Sequence, residues 1–358
     1  MKPLLRQVVF DFKYLLLGIL ILMLGGIFVA CQKPLDHDNS AEQQMHVAAQ
    51  APEEKLKQDC HVLQDKMQSM DEQRSNLSLV QVNQQIRSCL ILMDFPAQLK
   101  LMTLADQMYE HFLKIDRTPE QQEAFNDYFH AQSQFPTLQQ SQYERLHPRD
   151  RYLLAHKGLA DIDLVETADQ VQYQRNPNYL GRVFAPYFPE AERVFMQELA
   201  EQNQQASFQQ RAFLLGAEEI LRRAQFWDHY LQQYPDSHFI QDARFLAQFY
   251  ANVLFKGLPH DPVSTLYQGP EDIAPHYLRL IEGLANDKKN SPLTKQAARF
   301  LEFINLPEQK KNQLVPPNIA KLSLEQRRQA QLVHYLELKP IDPIQPPSRD
   351  CFRDAICY

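Results

Sequence analysis

Four residues beside a proline-rich stretch, His260, Asp261, Asp272 and His276, are of the types that bind zinc, which takes three or four N, S or O ligands. The two histidines are 16 positions apart across an irregular segment, which fits no metal-ligand spacing, so solvated loop side chains are the expectation. His147, Asp150 and His156 flank Pro148, whose place at a helix start puts them near that helix's surface. The metalloprotease and nucleophile signatures H-E-x-x-H and G-x-S-x-G are absent. Met67, Met70, Met93, Met102 and Met108 recur at helical spacing, a pattern of core packing rather than of soft-metal ligation, and Trp227 reads as a packing anchor. The chain is therefore expected to be no enzyme and to carry no metal and no cofactor.

Cysteines carry the clearest covalent chemistry. Of five, Cys31 ends an apolar run, and the other four, Cys60, Cys89, Cys351 and Cys357, are an even number with three possible pairings. Leu56, Cys60, Leu63, Met67 and Met70 mark one helical face, and Leu79, Val82, Ile86, Cys89 and Met93 mark a second. Between them lies a polar turn centred on Arg74 and Ser75, equidistant from Cys60 and Cys89. In an antiparallel hairpin, equal distance from the turn means equal height, so those two cysteines are expected to bond. Cys351 and Cys357 enclose the short loop CFRDAIC, a structural clip rather than the C-x-x-C of a redox centre.

These residues have to be positioned by helices. Nine glycines in 358 residues, three of them at Gly18, Gly25 and Gly26, are too few for a hairpin-rich β fold or a phosphate loop. Long Gln, Glu, Leu and Ala stretches favour helix, and the fold class expected is all-α. A net charge of −7 repels phosphate backbones, so nucleic acid is not an expected partner. Thr118-Pro119-Glu120-Gln121 and Ser323-Leu324-Glu325-Gln326 read as helix starts with a glutamine placed to close a capping box. Apolar spacing from Leu153 to Ala168 predicts a helix over Tyr152–Tyr173, and residues 176–189 form an aromatic connection docked on the core.

Residues 1–30 place Lys2, Arg6 and Lys13 before the apolar run from Tyr14, the order of an export signal. With Phe28-Val29-Ala30 before Cys31, this end resembles a bacterial lipoprotein signal. The resemblance implies cleavage, a lipid on Cys31, and an envelope location tethered to a membrane. Gln32 after that cysteine implies the outer membrane facing the periplasm in preference to the inner one. Residues 31–51 then form a flexible tether of about 25 Å root-mean-square reach. The alternative is an uncleaved helix of about 25 Å kept as an inner-membrane anchor.

Residues 52–189 form an N-terminal helical region, and residues 190–305 carry a repeat. Ala212-Phe213-Leu214, Ala243-Arg244-Phe245-Leu246 and Ala298-Arg299-Phe300-Leu301 each follow a serine, with residues 256–275 as a loop insertion. Tyr234-Pro235-Asp236-Ser237 and Asp242-Ala243 resemble the junction of tetratricopeptide repeats in envelope assembly lipoproteins. That resemblance implies helical hairpins leading into an α-solenoid that binds envelope proteins, with Arg244 and Arg299 as exposed contacts. A rival reading puts a ligand or hydrolytic site under the 256–275 loop. A cell-wall hydrolase of the lytic transglycosylase kind would show a catalytic Glu-Ser pair, and none occurs. Residues 306–358 complete the chain with a last helix and a proline-rich, clipped tail. Mass spectrometry of the membrane-extracted protein is expected to find a chain beginning at an acylated Cys31. An unmodified chain beginning at Met1 would contradict lipidation.

Overall fold

The computed structural model describes residues 54–131, 136–167, 170–205, 207–209, 212–258, 261–288, 290–314 and 322–339. They are mostly helical, and one hydrophobic core runs through them from Leu63 to Leu338. Residues 54–61 are helical and lead into α1 (Leu63–Gln68), α2 (Asn76–Leu90) and α3 (Phe95–Leu113). Ser75 caps α2 by accepting a hydrogen bond from Ser78 N at 3.1 Å. Asp94 caps α3 by accepting one from Ala97 N at 3.0 Å, with Pro96 in the first turn. Met67, Met70, Met102 and Met108 are buried between these helices. The expected bond is present: the sulfurs of Cys60 and Cys89 are joined, with the Cα atoms 5.6 Å apart.

After α4 (Pro119–Ala131), α5 (Pro136–Arg145) and α6 (Pro148–Ala155), the structure departs from the helix expected over Tyr152–Tyr173. The helix stops at Ala155, and beyond it the backbone turns left-handed at Gly158 (φ +83°), Ala160 (φ 60°) and Asp161 (φ 57°). An antiparallel hairpin follows, β1 (Ile162–Thr167) with β2 (Gln170–Arg175), pairing Ile162 with Arg175 and Leu164 with Tyr173. Alternate residues Val171, Tyr173 and Arg175 point inward. Asn126 of α4 holds the strand, its Oδ1 accepting Val171 N at 3.1 Å. Arg175 donates to Asp106 of α3 at 2.5 Å, and its guanidinium lies 4.6 Å from the Tyr179 ring centre. Both partners of this ion pair are buried, so removing either one alone strands a charge in the core.

Asp150 is likewise fully buried, contrary to the surface position expected for it. Arg117 holds it with two hydrogen bonds of 2.6 and 2.8 Å, and Phe125 covers the guanidinium at 4.1 Å. His147 instead caps α6 through Nδ1, and His156 Nδ1 lies 2.7 Å from the Tyr152 carbonyl. The three residues therefore serve local structure and converge on no common point. Tyr179, Phe184 and Phe188 of the aromatic connection are buried, and α7 (Tyr179–Val183) packs on α2 and on α8 (Glu190–Gln204).

The three copies of the motif do not occupy equivalent elements. Ala212 and Phe213 form β4, which pairs with β3 (Phe208–Gln209), so the first Ala-Phe-Leu copy lies outside any helix. Two helix pairs follow: α9 (Ala217–Gln233) with α10 (Ile240–Lys256), and α11 (Pro275–Ala285) with α12 (Pro292–Asn305). The second pair stacks on the first, α9 touching both α11 and α12. Buried Trp227 and Ile281, Tyr230 and Leu284, Ala243 and Ala297, and Leu246 and Phe300 occupy matching positions, each pair 54 residues apart. Ser237 and Ser291 share that offset. The Ala298-Arg299-Phe300-Leu301 copy is therefore one residue out of register with Ala243-Arg244-Phe245-Leu246: Ala243 is buried and Ala298 exposed.

Each of these serines is tied to a carboxylate from an earlier helix. Glu192 of α8 accepts Ser237 Oγ and His238 N at 3.1 and 2.8 Å, while Asp228 of α9 accepts Leu293 N at 3.3 Å. Arg223, also buried, joins α9 to α10 through Tyr250 OH at 3.0 Å and to the α8 exit through the Gln205 carbonyl at 2.7 Å. Trp227 donates to Gln202 of α8 at 3.1 Å, the packing anchor expected of it. Hydrogen bonds from Arg222, and then from Arg223, hold the Glu219 carboxyl down to about 2.

A disulfide closing a loop of about 30 residues contributes roughly 3.5 kcal/mol in the loop-entropy account. Cys60→Ser is expected to lower the unfolding free energy in urea by about 2–4 kcal/mol. An unchanged midpoint and slope would contradict a stabilising bridge.

Candidate functional site

Among the described residues, a sizeable groove lies beyond the second helical pair. The inner face of α12 buries Ala297, Phe300, Phe303 and Ile304, which leaves Arg299 and Glu302 on the next face around. The chain then forms α13 (Glu308–Gln313) and α14 (Leu324–Tyr335), and α14 packs on α12. Ser323 and Gln326 form the capping box expected there. Between α12 and α14 lies a groove of about 1040 Å³ lined by Lys256, Arg299, Glu302, Val333, Tyr335 and Leu338, among others. Leu314 and Leu322 also line it, and residues 315–321 and 340–358 lie outside the described residues.

Two arrangements fix the groove's walls. Lys311 of α13 is buried, and its ammonium donates to the Ile304 carbonyl at the end of α12 at 2.9 Å and to the Tyr267 carbonyl at 2.6 Å. Burial pulls the Lys311 pKa below its ordinary value. At the far end of α14, Leu338 N donates to the Val333 carbonyl at 2.9 Å and Glu337 N to the His334 carbonyl at 3.2 Å, with Glu337 left-handed at φ 54°. This is a Schellman ending with glutamate where glycine is preferred. The carboxylate so placed meets Arg299 at 2.7 Å. A strained backbone thus sets an Arg299–Glu337 pair on the groove wall.

The two arginines expected to contact partners are not equivalent. Arg299 lines this groove and is engaged with Glu337, whereas Arg244 is exposed on α10, bonds to Gln241 at 2.9 Å and is not part of the lining.

Part of the loop insertion 256–275 folds onto the core. It forms a hairpin of β5 (Gly257–Leu258) and β6 (Asp261–Pro262), and Val263, Tyr267 and Ile273 are buried. Tyr267 sits 6.1 and 6.3 Å from the Phe300 and Phe303 ring centres, so side chains fill the space between loop and α12. Asp272 is spent on the loop itself, accepting Ser264 Oγ at 2.7 Å and Gln268 N at 3.2 Å. Asp261 and His276 are exposed, and His260 lies outside the described residues. Among the described residues no group of three or more His, Cys, Asp or Glu is placed to hold a metal.

A smaller cleft of about 350 Å³ separates α9 from the α11–α12 turn. Asp228 within it is held above the ordinary carboxylate range by burial, and its bonds to Leu293 N and Gln232 make it a fastening between repeats.

Cys31, Cys351 and Cys357 also lie outside the described residues. No helix among the described residues is long and apolar enough to cross a membrane. Comparison with known proteins finds no matching family model, no matching curated protein and no matching solved structure.

The left-handed glutamate costs roughly 1 kcal/mol relative to glycine, more than its exposed ion pair returns. Glu337→Gly is accordingly expected to raise the unfolding free energy by about 0.5–1 kcal/mol in denaturant. A loss of stability would show that the Arg299 pair outweighs the strain.

Proposed function

We propose that this chain is a lipid-anchored scaffold of the bacterial cell envelope that docks a protein partner in the α12–α14 groove. The observation that carries the reading is the groove itself. Its lining mixes the apolar Leu314, Val333 and Leu338 with the charged Lys256, Glu302 and the Arg299–Glu337 pair. Apolar side chains supply area, and charged groups at the rim set the register of an extended peptide.

The address comes from the sequence. The basic head, the apolar run and Cys31 account for a tether at the outer membrane facing the periplasm, and the Cys60–Cys89 bond suits an oxidising compartment. The net charge of −7 favours protein over nucleic acid as the partner class.

Ala330 lines the groove from α14 and is half-buried, so Ala330→Arg places a long cation into it. Cross-linking in cells followed by affinity purification from membranes is expected to lose at least one partner with Ala330→Arg and to retain it with Arg244→Ala. The same partners in equal amounts with Ala330→Arg would overturn the reading. The same loss on deleting residues 340–358 would instead assign the contact to the tail.

A further inference from the structure

Asn252 of α10 is 2 % exposed, and only half of its side-chain amide is used. Its Nδ2 donates to the Gln248 carbonyl at 2.8 Å and to the Lys339 carbonyl at 2.9 Å. Its Oδ1 is buried with no hydrogen-bond partner among the described residues. Donation to two carbonyls fixes which end of the amide is nitrogen, so the unpartnered atom is an acceptor. Native structures rarely leave a buried acceptor unpaired, and this one calls for an N–H beside Lys339.

The sequence supplies that donor. Pro340 has no N–H, so the first donor after the Lys339 carbonyl is the backbone of Ile341. The chain just before it is already laid against the same two helices. Gln296 of α12 donates to the Leu336 carbonyl at 3.4 Å, Arg299 of α12 meets Glu337 at 2.7 Å, and Asn252 of α10 holds Lys339. Asn252 is placed to continue this series by two residues.

The segment so held starts at the groove and matches it in chemistry. Leu338 lines the groove, and so does Lys256, one helical turn along α10 from Asn252. Ile341, Ile344 and Pro347 recur at intervals of three, one turn of a polyproline strand, which puts them on one face. Asp342 is the one charged residue in 340–347. An apolar strip carrying one carboxylate suits a groove in which Leu314, Val333 and Leu338 sit with Lys256 and the Tyr335 ring.

We infer that Asn252 clasps the Ile341 N–H and that residues 340–347 of this chain are the resident occupant of the groove, which an incoming partner has to displace. The displacement rests on the docking reading given under the proposed function, whereas the clasp and the occupant stand apart from it.

A photo-crosslinking phenylalanine analogue at position 344 of the full-length chain, purified and dilute, is expected to label 296–302 or 324–339 of the same chain. Ile341→Pro removes the backbone donor and is expected to cut that yield roughly fivefold, the worth of one hydrogen bond. Ile341→Ala shortens the side chain, keeps the N–H and is expected to retain most of the yield. No adduct on the groove walls, adducts only between two chains, or equal yields from the proline and alanine variants would overturn the inference. In cells, deleting residues 340–358 is expected to raise capture of the groove's partner, and reduced capture would overturn displacement. Labelling within the chain, combined with partner capture indifferent to Ala330→Arg, would defeat the docking reading and leave the clasp and its occupant in place.

Discussion

A helix with one apolar stripe has to bury it on a neighbour, and this chain meets that need mainly between elements close in sequence. The stripe of α9 closes on α10, and the pair then closes on α11 and α12, with Trp227, Tyr230, Ile281 and Leu284 at matching heights. Among the described residues α14 packs on α12, and Arg299 and Glu302 line the groove between them.

Polar groups decide how tightly those stripes are registered. Glu192 and Asp228 each reach from an earlier helix to the start of a later one, which satisfies orphan backbone donors and fixes the spacing between layers. The buried Arg175–Asp106 pair ties the β1–β2 hairpin to α3, and the buried Arg117–Asp150 pair ties the chain before α4 to α6. Lys311 performs this task beside the groove with a cation, tying the end of α12 to the loop at Tyr267.

Local signals in the sequence were legible where one helix settles its own outcome. The capping boxes at Thr118 and Ser323, the methionine stripes and the opposed cysteines all depend on spacing along one helix or one hairpin. The β1–β2 hairpin was not, because Gln170, Gln172 and Gln174 favour helix while the alternation of Val171, Tyr173 and Arg175 is only three residues deep. Gly158 and Asp161 are residue types that accept left-handed backbone, but left-handed Ala160 between them gives no compositional warning. The one-residue slip between the repeat copies was invisible for a related reason. Phenylalanine and leucine are adjacent in both, so either can be read as the inward one. Asp150 meets its partner 33 residues away, and the groove joins residues from 256 to 338, so neither could be read from spacing.

The account stands on the groove being the face that meets other proteins. Hydrogen exchange of the membrane-extracted protein, measured with and without its cross-linked partners, tests this most directly. Added protection concentrated in residues 296–302 and 324–339 is the result the account predicts. Protection confined to α9 and α10, with the groove walls exchanging as in the free protein, would contradict it.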